Sequence, residues 1–402
     1  MCQIGAREHY SITRALIKDG LEVRLLTDYW ANHFGLALGN LSQRHHPSID
    51  KKLVKSWNLS CLLFEAKCRL AGNKNWDLML KRNQWFGEKV SLCLPDVFSD
   101  HDKKPIVMAY SYAARQVFIN AKKRGFSTVL AQIDPGPFEM RLVRDLYQKA
   151  KLPFIAPPEH YWDSWRMECE LADKIVVNST WSKNALEQEG VDTGKIVIIP
   201  LVYEQQGDTR EHLDFLKTKK TENFSADNPL EILFLGQVNV RKGILELMDA
   251  IQMLAAKHIH WTIVGPQDSI LRSKLDSLPN TTVVGAVSRN ESLAYYKEAD
   301  IFILPTHSDG FALTQLEAMS FGLPVIASKN CGEVVEDRLN GALLDSVTPD
   351  AIVEAVGYFY DSPINLAKCR EVVCDQPVRK IEQLASDLAG LASAVSTKSQ
   401  GY

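Results

Sequence analysis

The residues of this chain best suited to chemistry are two carboxylates, Asp309 and Glu317, and two adjacent cations, Arg241 and Lys242. The carboxylates stand eight residues apart in the stretch PTHSDGFALTQLEAMSFGLPVIAS, which covers 305–328. Eight residues make about two helical turns, so both acids could face one ligand from opposite ends. Asp309 falls in a polar turn, 306–310, where Gly310 lets the backbone approach a ligand and the helix amides that follow point towards it. As an isolated pair, the same acids also read as a capping residue and a solvated helix acid. The two cations close the turn GQVNVRKG, 236–243, in which Gly236 and Gln237 come first. Two cations at a strand-to-helix turn suit a diphosphate, because Arg offers a bidentate fork, Lys a point charge, and the following helix its positive end.

The elements that must hold these side chains repeat one unit. From Leu230 onward, apolar strands over 231–235, 260–264, 281–285, 301–304, 325–327 and 342–344 alternate with helices, which predicts a parallel, doubly wound α/β sheet. Helices are expected over 351–360 and 378–394, with 395–402 frayed. The polar, charged stretch 204–228 predicts an interdomain linker holding one short helix.

The first half alternates less regularly. A helix over 8–19 follows the Gly5-Ala6-Arg7 turn and leads to a strand over 22–27; only 1–4 precede it, so the strand expected there is either very short or upstream. After 90–94 come a helix near 110–123, strand 128–133, helix 138–150, apolar stretch 152–156, a helix with Trp162, Trp165 and Leu171, strand 174–178, a helix capped by Ser179 or Thr180, and strand 195–200. Three positions here are candidates on an acceptor side. Gly5 opens a turn at a helix start; Asp134, with Glu139, follows a strand in an Asp-Pro-Gly-Pro turn; His160 begins a helix and could exchange a hydrogen bond with a substrate hydroxyl. Each also has a plain conformational explanation. Residues 33–92 are the least regular, with ten Lys/Arg against four Asp/Glu and three tryptophans; they suit an anionic membrane surface or an acidic acceptor, or a solvated face with aromatic anchors. His45-His46 lacks the spaced partners of a metal site.

Length and composition set the frame. With 402 residues and 46% hydrophobic composition, the chain suggests two domains of nearly equal size. A formal charge of −3 argues against a dedicated nucleic-acid binder. The eight cysteines are scattered without a CxxC, which suggests reduced thiols in a cytoplasmic protein. No run approaches the ~18–20 apolar residues of a membrane span, and the N-terminus lacks a signal layout, so at most a peripheral membrane contact is expected.

Five motifs carry a family resemblance, over about Leu171 to Val356. LADKIVVNSTWSKNAL, KIVIIP, ILFLGQVNVRKG, WTIVGP and the acid-bearing turn, in this order, resemble the family-4 retaining glycosyltransferases (glycosyl transferases group 1) of the GT-B fold. The resemblance implies two Rossmann-like domains facing across a cleft: 1–203 on the acceptor side, the linker 204–228, 229–375 holding the sugar nucleotide, and 376–402 as a C-terminal helix and tail crossing back to the first domain. It further implies retaining transfer from a nucleoside-diphosphate sugar to a hydroxyl of a glycan, lipid or small molecule, with no cofactor beyond that co-substrate and no metal; no DxD-like acid pair stands at a strand end. By the same resemblance Glu317 takes the ribose hydroxyls. Asp309 and the amides of Gly310, Phe311, Ala312 and Leu313 lie by the donor sugar and phosphates, Lys242 binds phosphate, and 285–288, with Gly285 and Val287, passes the nucleobase. The family usually has Glu where this chain has Asp309, and often Arg where it has Gln237; Arg241 is placed to supply that charge. A nucleotide-sugar epimerase of the same fold, or a non-catalytic sugar-nucleotide-binding or scaffold protein, are the competing expectations.

Overall fold

A computed structural model describes residues 1–31, 41, 43–97, 105–204, 209–218, 222–267, 270–376 and 378–398. Its strands form two parallel sheets. The first holds β1 (Cys2–Gln3), β2 (Leu25–Thr27), β3 (Val54–Ser56), β4 (Ile106–Tyr110), β5 (Ser127–Ala131), β6 (Lys174–Val177) and β7 (Ile196–Ile198), in the order β3-β2-β1-β4-β5-β6-β7. The second holds β8 (Leu230–Leu235), β9 (Ile259–Val264), β10 (Thr281–Gly285), β11 (Ile301–Leu304), β12 (Val325–Ser328) and β13 (Gly341–Leu344), in the order β10-β9-β8-β11-β12-β13. Strand order therefore reverses at β1/β4 and at β8/β11, and in such sheets the crevice at the C-terminal strand ends is where ligands bind.

Helices cover both faces. They are α1 (Ser11–Lys18), α2 (Asn58–Leu70), α3 (Asn75–Val97), α4 (Arg115–Lys123), α5 (Pro137–Lys149), α6 (Glu159–Leu171) and α7 (Thr180–Gln188) around the first sheet, and α8 (Arg210–Thr218) in the expected linker. Then come α9 (Ile244–Met253), α10 (Arg272–Leu275), α11 (Arg289–Glu298), α12 (Leu313–Ser320), α13 (Pro349–Tyr360), α14 (Pro363–Asp375) and α15 (Ile381–Lys398). Being covered on both faces, β11 and β12 are buried at every residue, which is why they read as unbroken apolar runs. The last helix leaves the second unit and returns to the first. Its Leu384, Leu388 and Leu391 share a core with Tyr10, Ile12 and Ala15 beside the first sheet, and Glu382 pairs with Lys18.

Several sequence expectations change. The strand before α1 is present as Cys2–Gln3, two residues long, held between β2 and β4. Tyr110 ends a strand instead of starting a helix. The stretch 90–94 lies inside α3, and much of the supposedly irregular 33–92 is the α2–α3 pair; 32–40 and 42 lie outside the described residues. Buried Phe86, Val90, Cys93 and Leu94 recur at helical spacing, a pattern that the interleaved cations obscured. A further helix, α14, fills the gap left between 360 and 378. Among the described residues no helix is long and apolar enough to cross a membrane, and the cysteines are free thiols.

Candidate functional site

Arg241 and Lys242 follow β8, and Asp309 follows β11; because these strands are neighbours at the reversal point, their loops meet. Backbone bonds lock them together: the His307 N–H donates to the Arg241 carbonyl at 2.9 Å, and Thr306 Oγ1 donates to the same oxygen at 3.2 Å. The Asn239 side chain accepts from the Lys242 N–H at 3.1 Å and fixes the single turn 240–242. Gly243, at φ +71°, lets this turn pass the Pro305 carbonyl, which any Cβ there would overlap.

The outcome is a charge cluster spanning both halves of the molecule. Lys242 Nζ pairs directly with the Asp309 carboxylate, and Arg241 Nη1 lies 3.9 Å from it. Arg241 also donates to the Ser308 carbonyl at 2.8 Å and to Glu139 Oε1, on α5 of the first half, at 3.3 Å. Burial pushes the Asp309 carboxyl up, but Lys242 and Arg241 outweigh it and hold it below the ordinary carboxylate value. Glu139 behaves oppositely: burial raises it to about 7 against the pull of Arg241. Asp134 lies near, also raised by burial, and accepts from the Tyr112 hydroxyl and from the Gly136 N–H at 2.9 Å.

The two acids of the 305–328 stretch take different partners. Glu317 accepts from the Tyr296 hydroxyl at 2.8 Å, and its charge, after burial, raises the Tyr203 phenol. Arg289, directly after the 285–288 stretch, lies over the Tyr203 ring at 5.8 Å and donates to His9 Nε2 of the first half. Glu317 thus sits in an aromatic corner and Asp309 beside the cations. The amides expected to face a ligand are only partly free to do so. The Ala312 N–H donates to the Cys331 carbonyl at 3.2 Å, and the Gly310 N–H faces the Asp309 carboxylate. Phe311 packs on Gly332, where a Cβ would fall 2.7 Å from its ring. Leu313 begins α12. Gln237 is exposed and accepts from Asn239 Nδ2 at 3.3 Å. Gly285 ends β10 with its carbonyl accepting from the Gly265 N–H at 2.8 Å, and Val287 packs partly buried against the second core.

The halves touch at 308–310. A Cβ on Gly310 would lie 2.5 Å from the Ile133 carbonyl, Ser179 Oγ donates to the Gly310 carbonyl at 2.7 Å, and Trp181 Nε1 donates to Ser308 Oγ at 2.9 Å. Of the acceptor-side candidates, only Asp134 joins the cluster. The Gly5 N–H is committed to Asp28 Oδ1 at 2.9 Å, because the turn must tie β1 to the end of β2. His160 sits exposed on the first turn of α6, with no hydrogen bond or ion pair among the described residues. The sequence did not single out Gln3 and Tyr112. They line a cavity of about 130 Å³ at the C-terminal ends of β1 and β4, with Arg7, Met79, Asn83 and Phe86. Gln3 is 1% exposed and its Oε1 has no hydrogen-bond partner. Its position at the centre of an interrupted two-residue strand hid it.

Residues 229–362 match the family described as Glycosyl transferases group 1. Among curated relatives, an uncharacterized 41.2 kDa protein in the cps region of Klebsiella pneumoniae is 27% identical over 191 residues, 47% of this chain and 52% of that protein. An uncharacterized glycosyltransferase of Haemophilus influenzae is 28% identical over 200 residues, 48% and 52% of the two chains. The chain thus spans about half the length of these relatives. Among solved structures, sucrose-phosphate synthase of Thermosynechococcus elongatus superposes with a TM-score of 0.63 at 18% identity, over 96% of this chain and 91% of that one. Anabaena HepE in complex with UDP gives 0.62 at 16%, over 98% of each. At such identities the likeness is one of fold. Residues 229–362 thus match the glycosyl transferases group 1 family, and the chain as a whole has the two-domain GT-B fold.

Proposed function

We propose that this protein transfers a glycosyl group from a nucleoside-diphosphate sugar to an acceptor hydroxyl with retention at the anomeric carbon. The observation that carries the proposal is the meeting of Arg241, Lys242 and Asp309 at the β8/β11 reversal, opposite Glu139 and Asp134. A buried lysine and a half-buried arginine beside a helix start suit a departing diphosphate. The donor's diphosphate would take over Arg241 and Lys242 from Glu139 and Asp309, and Glu317, Tyr296 and Arg289 would receive its nucleoside end. HepE, of the same fold, is a UDP complex, which supports a nucleotide at this crevice.

In the transfer step the acceptor oxygen bonds to the anomeric carbon as the bond from that carbon to the β-phosphate oxygen breaks. The acceptor proton passes to the departing phosphate. Arg241, Lys242 and the start of α12 stabilise the charge that builds there, so the proposed step assigns neither a metal nor an obligatory protein base. The acceptor would enter from the β1/β4 cavity, where Gln3 Oε1 can accept from a hydroxyl and Arg7 and Asn83 add donors. Glycan, lipid-linked and small hydroxyl acceptors all remain within this class.

A panel of UDP-, GDP- and ADP-sugars tested by thermal shift identifies the donor, since a ligand that binds only the native state raises its apparent stability. Transfer is then measured with Lys242→Ala, and with Lys242→Ala/Asp309→Asn as the control for folding. Undiminished transfer in the first variant sinks the proposal. Product formed without acceptor would point to an epimerase, and binding without turnover to a carrier of sugar nucleotides.

A further inference from the structure

The α2 helix turns an apolar stripe away from the protein. Leu59, Leu63 and Leu70 are 66%, 63% and 91% exposed, and at 100° per residue they fall with Ala66 inside an arc of about 60°. The opposite side of the helix is anchored: Cys61 and Cys68 are buried, Phe64 stacks on Trp85 of α3 at 5.1 Å, and Glu65 accepts from Arg82 of α3 at 2.6 and 2.9 Å. The stripe is therefore not a core face left loose. It belongs to a helix already docked through its other side.

The charges around it have one sign. Lys67 and Arg69 flank the arc, about 40° beyond one edge and about 60° beyond the other, both are exposed, and neither pairs with a carboxylate among the described residues. The single acid of α2, Glu65, is consumed by Arg82. Aliphatic side chains flanked by free cations are the signature of a helix lying in an anionic lipid interface. Protein-binding hot spots favour Trp, Tyr and Arg, with Leu under-represented.

We propose that α2 docks the protein on an anionic membrane surface, with Leu59, Leu63 and Leu70 entering the headgroup boundary and Lys67 and Arg69 meeting lipid charge. Because Arg82 of α3, held by Glu65, also lines the β1/β4 cavity, docking would set that cavity one helix away from the bilayer. The docking itself does not depend on the transferase proposal.

The test is co-sedimentation of the full chain with vesicles of phosphatidylcholine alone and of phosphatidylcholine with 30% phosphatidylglycerol. Preferential binding to the anionic vesicles is expected, weakening with salt. Lys67→Gln/Arg69→Gln should lower the partition roughly thirtyfold. Leu59→Ser/Leu63→Ser/Leu70→Ser should abolish it while leaving the melting temperature unchanged, since these side chains touch solvent. Absence of vesicle binding, equal binding to both compositions, or full binding by the triple serine variant would overturn the proposal. So would a dimer, seen by light scattering without vesicles and lost in the serine variant, because the stripe would then be covered by a second copy.

Discussion

The two domains share the order of their first six strands, reversing at β1/β4 and at β8/β11, yet they bring opposite charges to the contact between them. Loops after β8 and β11 contribute Arg241 and Lys242 with a single acid, Asp309, that the cations hold ionised. The turn after β5 and the first turn of α5 contribute carboxylates whose pKa values burial has raised, Asp134 and Glu139. The topology decides where a site forms, and the loop residues decide its sign. Here the signs are complementary, so the same charges that suit a diphosphate also draw the halves together at 308–310.

The strongest way to break this asymmetry is to remove a cation. Lys242→Ala should lower turnover by about 10³-fold, since a preorganised donor opposite developing charge commonly contributes that much. It also leaves the Asp309 carboxylate with Arg241, at 3.9 Å, as its nearest remaining cation, which costs about 1–3 kcal/mol of stability. The double variant Lys242→Ala/Asp309→Asn should regain most of the lost melting temperature and none of the turnover. Recovery of both would mean that Lys242 serves only to neutralise Asp309.

The first domain is broken more readily through its fold. Glu168, fully buried, accepts from the backbone N–H groups of Tyr112, Ala114 and Arg115 at 2.7 to 3.0 Å, satisfying the start of α4. Glu168→Ala should destabilise the protein by about 3 kcal/mol in urea unfolding, and Glu168→Gln by less. Burial raises this carboxyl to about 7 against those three donors. Its folded pKa thus exceeds the unfolded one, so its contribution to stability is present at low pH and falls as pH rises through about 7. Glu168→Gln should flatten that slope.

A smaller effect tests the contact between the domains. Gly310→Ala places a Cβ 2.5 Å from the Ile133 carbonyl, and the halves must separate to admit it. Overpacking of this kind costs about 1–3 kcal/mol, so kcat/KM should fall roughly tenfold or more with the donor affinity of the second domain little changed. An equal loss in both would place the damage inside the second domain.

The same contrast explains what the sequence revealed. In the second domain, β8 is apolar from Ile232 to Leu235 and ends at Gly236, β11 is apolar throughout and ends at Pro305, and β12 is entered from Gly322-Leu323-Pro324, so the strands, the cation turn and the acid turn could all be placed from residue order. The direct pairing of Lys242 with Asp309 could not, because it depends on β8 and β11 being neighbours although 65 residues of chain separate Arg241 from Thr306. In the first domain the central strand is two residues long and α3 carries cations among its core positions, so periodicity failed where it was most needed. Gly5 looked like a ligand turn because a glycine before a helix has the same appearance whether its N–H meets a phosphate or, as here, Asp28. Gln3 gave no signal, since a buried amide in so short a strand has no pattern around it.

The finest test concerns Glu139, the carboxylate of the first domain that touches Arg241 of the second. Its carboxyl titrates near 7, faces Arg241 at 3.3 Å, and has Asp134, Asp309 and Ser308 as its other polar neighbours. Above that pH the ionised carboxylate competes with a diphosphate for Arg241; below it the neutral acid does not. The diphosphate of a nucleotide sugar is esterified at both ends and has no proton to exchange near neutrality, so any step there belongs to the protein. Donor affinity, followed by calorimetry from pH 6 to 8, should fall as pH rises through about 7, by about threefold to fivefold if the pair contributes the 0.7–1 kcal/mol of a partly exposed ion pair. Glu139→Gln should remove the step and keep the low-pH affinity throughout. An unchanged step in Glu139→Gln would transfer the titration to Asp134, whose carboxyl is raised by the same burial and, like Glu139, is drawn to Arg241.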